Sequence, residues 1–122
     1  MKKFVAIGEC MLELSSVKDD LWKMGVAGDT LNTSWYARAC LSKNWRVLFA
    51  TKIGKDAMSS KVINFLNQND ICTDRVYYHT SRTIGLYAIQ LNKGERNFAY
   101  WRDNSAARLL ADDQKTLKLM LE

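Results

Sequence analysis

Three adjacent side chains near the end of a predicted strand have the chemistry of a binding site: Tyr100, Trp101 and Arg102, within the stretch NFAYWRDNSAA. Tyrosine and tryptophan combine an aromatic face with one polar group, and arginine adds a permanent charge on a planar fork of donors. Such a trio can bind an anionic small molecule, stack on nucleic-acid bases, or pack within a sheet. These three residues alone leave the alternatives open.

A β-hairpin is predicted around this trio. The runs Leu86–Leu91 and Arg96–Trp101 flank a four-residue loop, Asn92–Glu95, so residues whose numbers add to 187 should face each other. Strand alternation then places five side chains on one face: Tyr87, Ile89, Phe98, Tyr100 and Arg102. Gly85 leaves space opposite Arg102. This face is either a stabilising aromatic pair beside a solvated arginine, or the floor of a pocket that holds an anion.

Few other residues carry a catalytic pattern. Glu9 and Glu13 follow the first predicted strand, and in an extended segment their spacing puts both on one face. Acid–base chemistry is possible there, but solvated or ion-paired carboxylates are the favoured interpretation. His79, the only histidine, has no partner for a catalytic triad and is expected to be structural. No glycine-rich phosphate loop and no HExxH zinc motif occurs.

Composition limits the possible partners. The 122 residues are 48% hydrophobic and 25% charged, enough for one globular domain with its own core. The net charge of +5 is scattered along the chain, which argues against a nucleic-acid partner. Cys10, Cys40 and Cys72 form no CxxC pattern, so buried free thiols are expected rather than a zinc site or disulfides. No signal peptide or membrane span is recognisable, which predicts a cytoplasmic protein with no membrane partner.

The order of the elements predicts an α/β fold. Apolar runs at Phe4–Ile7, Arg46–Thr51 and Val76–Tyr78 read as strands, and two helical patterns separate them. The first helix should be capped by Asp29 or Thr30, and the second should begin at Gly54–Asp56. This alternation predicts a parallel sheet with flanking helices. Residues 112–122 are expected to form a last helix.

Five short motifs give these patterns a family resemblance. In order along the chain they are AIGECMLELS, AGDTLNTSWYARACL, TKIGKD, GLYAIQLNKGERNFAYWR and NSAA. The match runs in order from Phe4 to about Leu110, nearly the whole chain. The chain resembles the N-terminal part of the 2-keto-3-deoxygluconate kinases, which belong to the ribokinase-like (PfkB) carbohydrate kinases.

The resemblance implies both the fold and the substrate site. Residues 1–122 would be the N-terminal part of one α/β sugar-kinase domain. A small β-sheet lid, formed by segments of about 11–24 and 85–101, would cover a sugar acid and form a homodimer contact. The residues that the resemblance assigns to substrate binding are Gly28, Asp29, Asn32, Tyr87, Tyr100, Trp101 and Arg102, with Arg102 near the carboxylate. Ala27 departs from the glycine usual in the family, so a methyl group crowds this loop.

The resemblance also implies ATP and Mg²⁺ for the full-length enzyme. The family's anion hole and catalytic base lie in a Gly-Ala-Gly-Asp stretch that residues 1–122 do not contain. We therefore expect no catalytic residue, no metal ligand and no bound nucleotide in these residues alone. Two alternatives from other classes remain: a binding or dimerisation module without chemistry, and a single-strand nucleic-acid binder that stacks bases on Tyr100 and Trp101.

Overall fold

The computed structural model describes all residues from 1 to 122. Its elements in chain order are β1 (Lys2–Ile7), β2 (Met11–Lys18), β3 (Leu21–Ala27), α1 (Asp29–Cys40), β4 (Trp45–Ile53), α2 (Ala57–Gln68), β5 (Val76–Tyr78), β6 (Gly85–Asn92), β7 (Glu95–Trp101) and α3 (Gln114–Leu121). A 3-10 helix, Ala106–Leu109, precedes α3. The predicted helices and strands are all present.

The first sheet is parallel and has the strand order β1-β4-β5. Residues Val47–Thr51 of its central strand β4 are all buried, because elements cover both faces of the sheet. Phe49 joins Val62 and Leu66 of α2 in the main hydrophobic core. This is the predicted parallel sheet with flanking helices.

The second sheet, which we call the small sheet, has the strand order β3-β2-β6-β7. Two antiparallel hairpins, β2–β3 and β6–β7, join side by side through a parallel pairing of β2 with β6. The segments predicted as a lid fall within it, although β3 continues to Ala27. In the β6–β7 hairpin the predicted loop is shorter than expected. Asn92 pairs with Glu95, so only Lys93 and Gly94 turn the chain.

The two sheet-flanking helices begin in different ways. At α2 the Asp56 side chain accepts a hydrogen bond from the Ser59 amide, the cap expected near Gly54–Asp56. At α1 the predicted cap by Asp29 or Thr30 is wrong, since Gly28 occupies the capping position and no side chain caps the helix. Gly28 has φ 135° and a Cβ atom there would lie 2.7 Å from the Glu9 carbonyl oxygen. This start therefore requires glycine.

All three cysteines are free thiols, as expected, but they are not all buried. Cys10 is buried, and that burial raises the pKa of its thiol to about 12. Cys72 is half-buried and Cys40 is exposed, so the expectation of buried thiols is wrong for Cys40.

The helix at the end of the chain is anchored by Met120, which is fully buried. None of the helices has the length and apolar character needed to cross a membrane.

Candidate functional site

A cavity of about 590 Å³ lies between the end of β1, the start of α1 and one face of the small sheet. Six of the seven residues predicted for substrate binding line it: Gly28, Asp29, Asn32, Tyr87, Tyr100 and Arg102. They come from α1, its preceding turn and the β6–β7 hairpin. The fold therefore brings together two groups of residues that are far apart in sequence.

The hairpin has the predicted register. Tyr87 pairs with Tyr100 and Ile89 with Phe98. The rings of Tyr87 and Tyr100 are stacked with centroids 5.9 Å apart, and those of Phe98 and Tyr100 with centroids 6.1 Å apart. The aromatic pair predicted across the strands is present, and both of its rings line the cavity.

Trp101 is the predicted site residue that does not line the cavity. It pairs with Leu86, so strand alternation turns its side chain to the other face of the small sheet, where it is 59% exposed. Its assignment to the site came from the family resemblance and not from the strand alternation. Tyr100 and Trp101 face opposite ways and do not form the shared stacking platform that nucleic-acid binding would require.

Arg102 follows the last residue of β7 and is ion-paired within the cavity. Its Nη2 lies 3.1 Å from Oε1 of Glu9, and its side chain remains 42% exposed. The Ser105 hydroxyl donates a hydrogen bond to the other carboxylate oxygen of Glu9, at 2.6 Å. The expected gap at Gly85 is absent, because a Cβ atom there would lie 3.1 Å from Glu9 Oε2, 3.2 Å from the Arg102 Cβ and 3.3 Å from the Met11 Cγ.

Tyr87 is held in its neutral, proton-donating form. Burial and then the negative charge of Glu13, its register partner on β2, raise the pKa of Tyr87 to about 12. A phenol that stays protonated at neutral pH can donate a hydrogen bond to a hydroxyl, keto or carboxylate oxygen of a ligand. Glu9 and Glu13 both line the cavity, and Glu9 is ion-paired, which agrees with the favoured interpretation of this pair.

The start of α1 supplies the other polar wall. Asp29 and Asn32 lie in the first turn of the helix and line the cavity with Gly28. A carboxylate and an amide at this place can accept hydrogen bonds from the hydroxyl groups of a ligand. Ala27 also lines the cavity, so its methyl group occupies space that a glycine would leave open.

His79, the other residue considered for catalysis, does not line the cavity. His79 accepts hydrogen bonds at Nδ1 from the amides of Ser81 (3.0 Å) and Arg82 (2.9 Å), which confirms its structural role. No three or more histidine, cysteine or acidic side chains come together in a way that could hold a metal ion.

Cavity chemistry and architecture together indicate a class of protein. One guanidinium, two phenol groups and several oxygen acceptors suit a polyhydroxylated small molecule with an anionic group. A parallel α/β sheet with a small sheet beside such a cavity is the architecture expected of a ribokinase-like sugar kinase.

Comparison with known proteins gives the family. The profile of the pfkB family carbohydrate kinases matches residues 1–121, and the chain belongs to this family. It is 37% identical to the 2-dehydro-3-deoxygluconokinase of Haemophilus influenzae and 36% identical to that of Escherichia coli K12, over 100% and 99% of the chain. The chain spans only 40% of the length of each of these relatives.

A solved structure agrees with the fold. The 2-dehydro-3-deoxygluconokinase of Thermotoga maritima superposes with a TM-score of 0.79 at 19% identity, over 95% of this chain and 36% of that one. The predicted family resemblance and the ribokinase-like α/β fold are thus confirmed.

Proposed function

We propose that this chain supplies the substrate-binding part of a kinase that uses ATP and Mg²⁺ to phosphorylate 2-keto-3-deoxygluconate on its terminal hydroxyl. The observation that carries the proposal is the single cavity shared by Arg102, the two tyrosines Tyr87 and Tyr100, and the start of α1. The names of the relatives in Haemophilus influenzae and Escherichia coli, which use the synonym 2-dehydro-3-deoxygluconate, support the choice of sugar acid.

Each side chain has a distinct part in this proposal. The free N–H groups of Arg102 hold the carboxylate of the acid through charge-assisted hydrogen bonds. Tyr87 and Tyr100 orient the acid through their phenol groups, and Asp29 and Asn32 accept hydrogen bonds from its hydroxyls. Gly28 lines the cavity with its backbone, and its missing side chain leaves room for the Glu9 carbonyl oxygen behind it. We propose no binding role for Trp101.

The nucleotide and the metal do not fit the residues of this chain. The cavity has a single cation, Arg102, which can pair with one carboxylate, and no further lysine or arginine lines it to neutralise the charges of a triphosphate. No cluster of metal-ligating side chains is present either. We propose that ATP and Mg²⁺ are held by a part of the kinase outside these 122 residues, and we assign no catalytic base here.

We also propose that the small sheet acts as a lid and forms a homodimer contact. Every residue of β7 is exposed, and large apolar side chains such as Leu21, Trp22 and Trp101 remain open to solvent on this sheet. Open sheet edges and exposed apolar side chains favour association between copies. Sedimentation should therefore show dimers or larger species. The cytoplasmic location stays a prediction from the sequence.

Two measurements test whether residues 1–122 bind the acid while another part of the kinase binds ATP and Mg²⁺. Calorimetric titration of residues 1–122 should show binding of 2-keto-3-deoxygluconate, while ATP should cause no thermal shift and no phosphorylation should be detectable. A chain of 122 residues that binds ATP and phosphorylates the acid would contradict the proposal. If the complete gene product binds the acid but never phosphorylates it, the alternative of a non-catalytic binding or dimerisation module is correct.

A further inference from the structure

Glu9 is placed between two partners that lie 93 and 96 positions later in the chain. Its Oε1 pairs with Arg102 Nη2 at 3.1 Å, and its Oε2 accepts the Ser105 hydroxyl at 2.6 Å. Its own side chain is only 16% exposed. Both carboxylate oxygens are thus engaged, so the side chain has little freedom to rotate.

The backbone of Glu9 is fixed as well. The Thr30 hydroxyl donates a hydrogen bond to the Glu9 carbonyl oxygen at 3.4 Å, and Gly28 packs against the same oxygen. On the other side, Gly85 closes on the carboxylate so tightly that a Cβ atom would lie 3.1 Å from Oε2. Glu9 is therefore anchored by the start of α1 and the start of β6.

Arg102 has much less support of its own. It lies beyond the last paired residue of β7, and its side chain is 42% exposed. A long side chain at such a position samples many rotamers, and a ligand that needs one of them must immobilise it. Its contact with Glu9 uses Nη2, which leaves Nη1 and Nε free to face a ligand.

We propose that Glu9 is a positioning residue that holds the Arg102 guanidinium in the cavity, ready for the anionic group of the ligand. The inference rests on the proposed function, since it concerns how the same cavity recognises an acid. Glu9 also has an opposite effect, because its negative charge repels an incoming carboxylate. A test must separate the position that Glu9 imposes from the charge that it carries.

Glu9→Gln and Glu9→Ala form a matched pair, because both remove the charge but only glutamine keeps an oxygen that can accept from Arg102. Calorimetry should compare their affinities for 2-keto-3-deoxygluconate and for fructose, a neutral six-carbon ketose. We expect Glu9→Gln to bind the acid about 2- to 12-fold more tightly than Glu9→Ala, the effect of ordering one long side chain in advance. The two variants should bind fructose equally.

Equal affinity of both variants for the acid would overturn the proposal. A loss of fructose binding by the same factor in Glu9→Ala would also overturn it, because the role of Glu9 would then be structural. If the wild-type chain does not bind the acid, the proposed function fails, and the positioning of Arg102 needs a measurement without ligand.

Nitrogen-15 relaxation of the Arg102 Nε–H group, assigned with Arg102→Lys, provides that measurement. We expect an ordered group in the wild type and in Glu9→Gln, and a mobile one in Glu9→Ala. Arg96 on the exposed strand β7 serves as the mobile reference. An Arg102 signal that is equally ordered in all three proteins would contradict the positioning role of Glu9 whatever the ligand.

Discussion

The parallel sheet and the small sheet are stabilised in different ways. Central strand β4 is buried along most of its length, and its side chains pack against α2. Strand β7 of the small sheet is exposed at every residue and depends on hairpin pairing and stacked rings. The burial that maintains the fold and the polar groups that face the cavity therefore lie mostly in different strands. Mutations should therefore affect stability and binding separately.

Substitution of a core residue in the parallel sheet should have the largest effect on stability. Phe49→Ala in β4 should lower the free energy of unfolding by about 3–5 kcal/mol, because it leaves a cavity in the core. Its matched control, Phe98→Ala in β7, should cost only about 0.5–1.5 kcal/mol, the range for an aromatic pair. Urea unfolding measures both variants. Similar losses would mean that the small sheet is as important for stability as the parallel sheet.

The second-largest effect is expected for binding of the keto acid after removal of Arg102. Arg102→Ala should weaken binding of the keto acid by about 1.5–3 kcal/mol, roughly ten- to a hundred-fold, because a hydrogen bond to a charged group is lost. Stability should fall by about 1 kcal/mol, because the largely buried Glu9 carboxylate loses its ion-pair partner and keeps only the Ser105 hydroxyl.

Arg96→Ala is the control for this change. Arg96 lies on β7 and is exposed, but it does not line the cavity. Calorimetric titration should find its affinity for the acid unchanged. If the two arginine variants weaken binding equally, the effect comes from net charge and not from the site.

A smaller loss of stability is expected when Asp56, the side chain that caps α2, is removed. Hydrogen bonds from Ser59 outweigh the opposing effect of burial and hold the pKa of Asp56 below its ordinary value. Asp56→Ala should therefore cost about 0.5–2 kcal/mol of stability at neutral pH, as for other helix caps, without altering acid binding.

The pH dependence follows from the direction of that shift. A carboxyl group whose pKa is lowered on folding stabilises the protein above its unfolded pKa, and this contribution disappears as the pH falls through the folded pKa. The stability difference between wild type and Asp56→Ala, measured by urea unfolding, should shrink below about pH 4. Asp56→Asn, which keeps the cap without the titration, is the control. A difference that persists in acid would exclude the charge of Asp56 as its cause.

The smallest expected effect is that of Trp101→Ala on binding. Trp101 is turned away from the cavity, so affinity for the acid should change by less than about 0.5 kcal/mol. Self-association, measured by sedimentation, should weaken because an exposed aromatic side chain is removed. A strong loss of acid binding would mean that Trp101 reaches a site through a second copy of the chain.

Local patterns in the sequence predicted the hairpin that forms one wall of the cavity. The register of the β6–β7 hairpin follows from its turn and its alternation, and this placed Tyr87 opposite Tyr100 correctly. The same alternation turns Trp101 away from the cavity, in conflict with the role that the family resemblance implies for it. The partner of Arg102 could not be predicted in this way, because Glu9 is brought to it only by the tertiary fold.

The parallel pairing of β2 with β6 has a consequence for the order of folding. It joins Met11 to Gly85, more than half the chain apart, whereas each hairpin pairs only neighbouring segments. Long-range pairing requires closure of a large loop and forms slowly unless other structure has already brought the strands together. We expect the cavity to assemble last, after the parallel sheet, so that amides in this pairing gain protection from hydrogen exchange after those of β4.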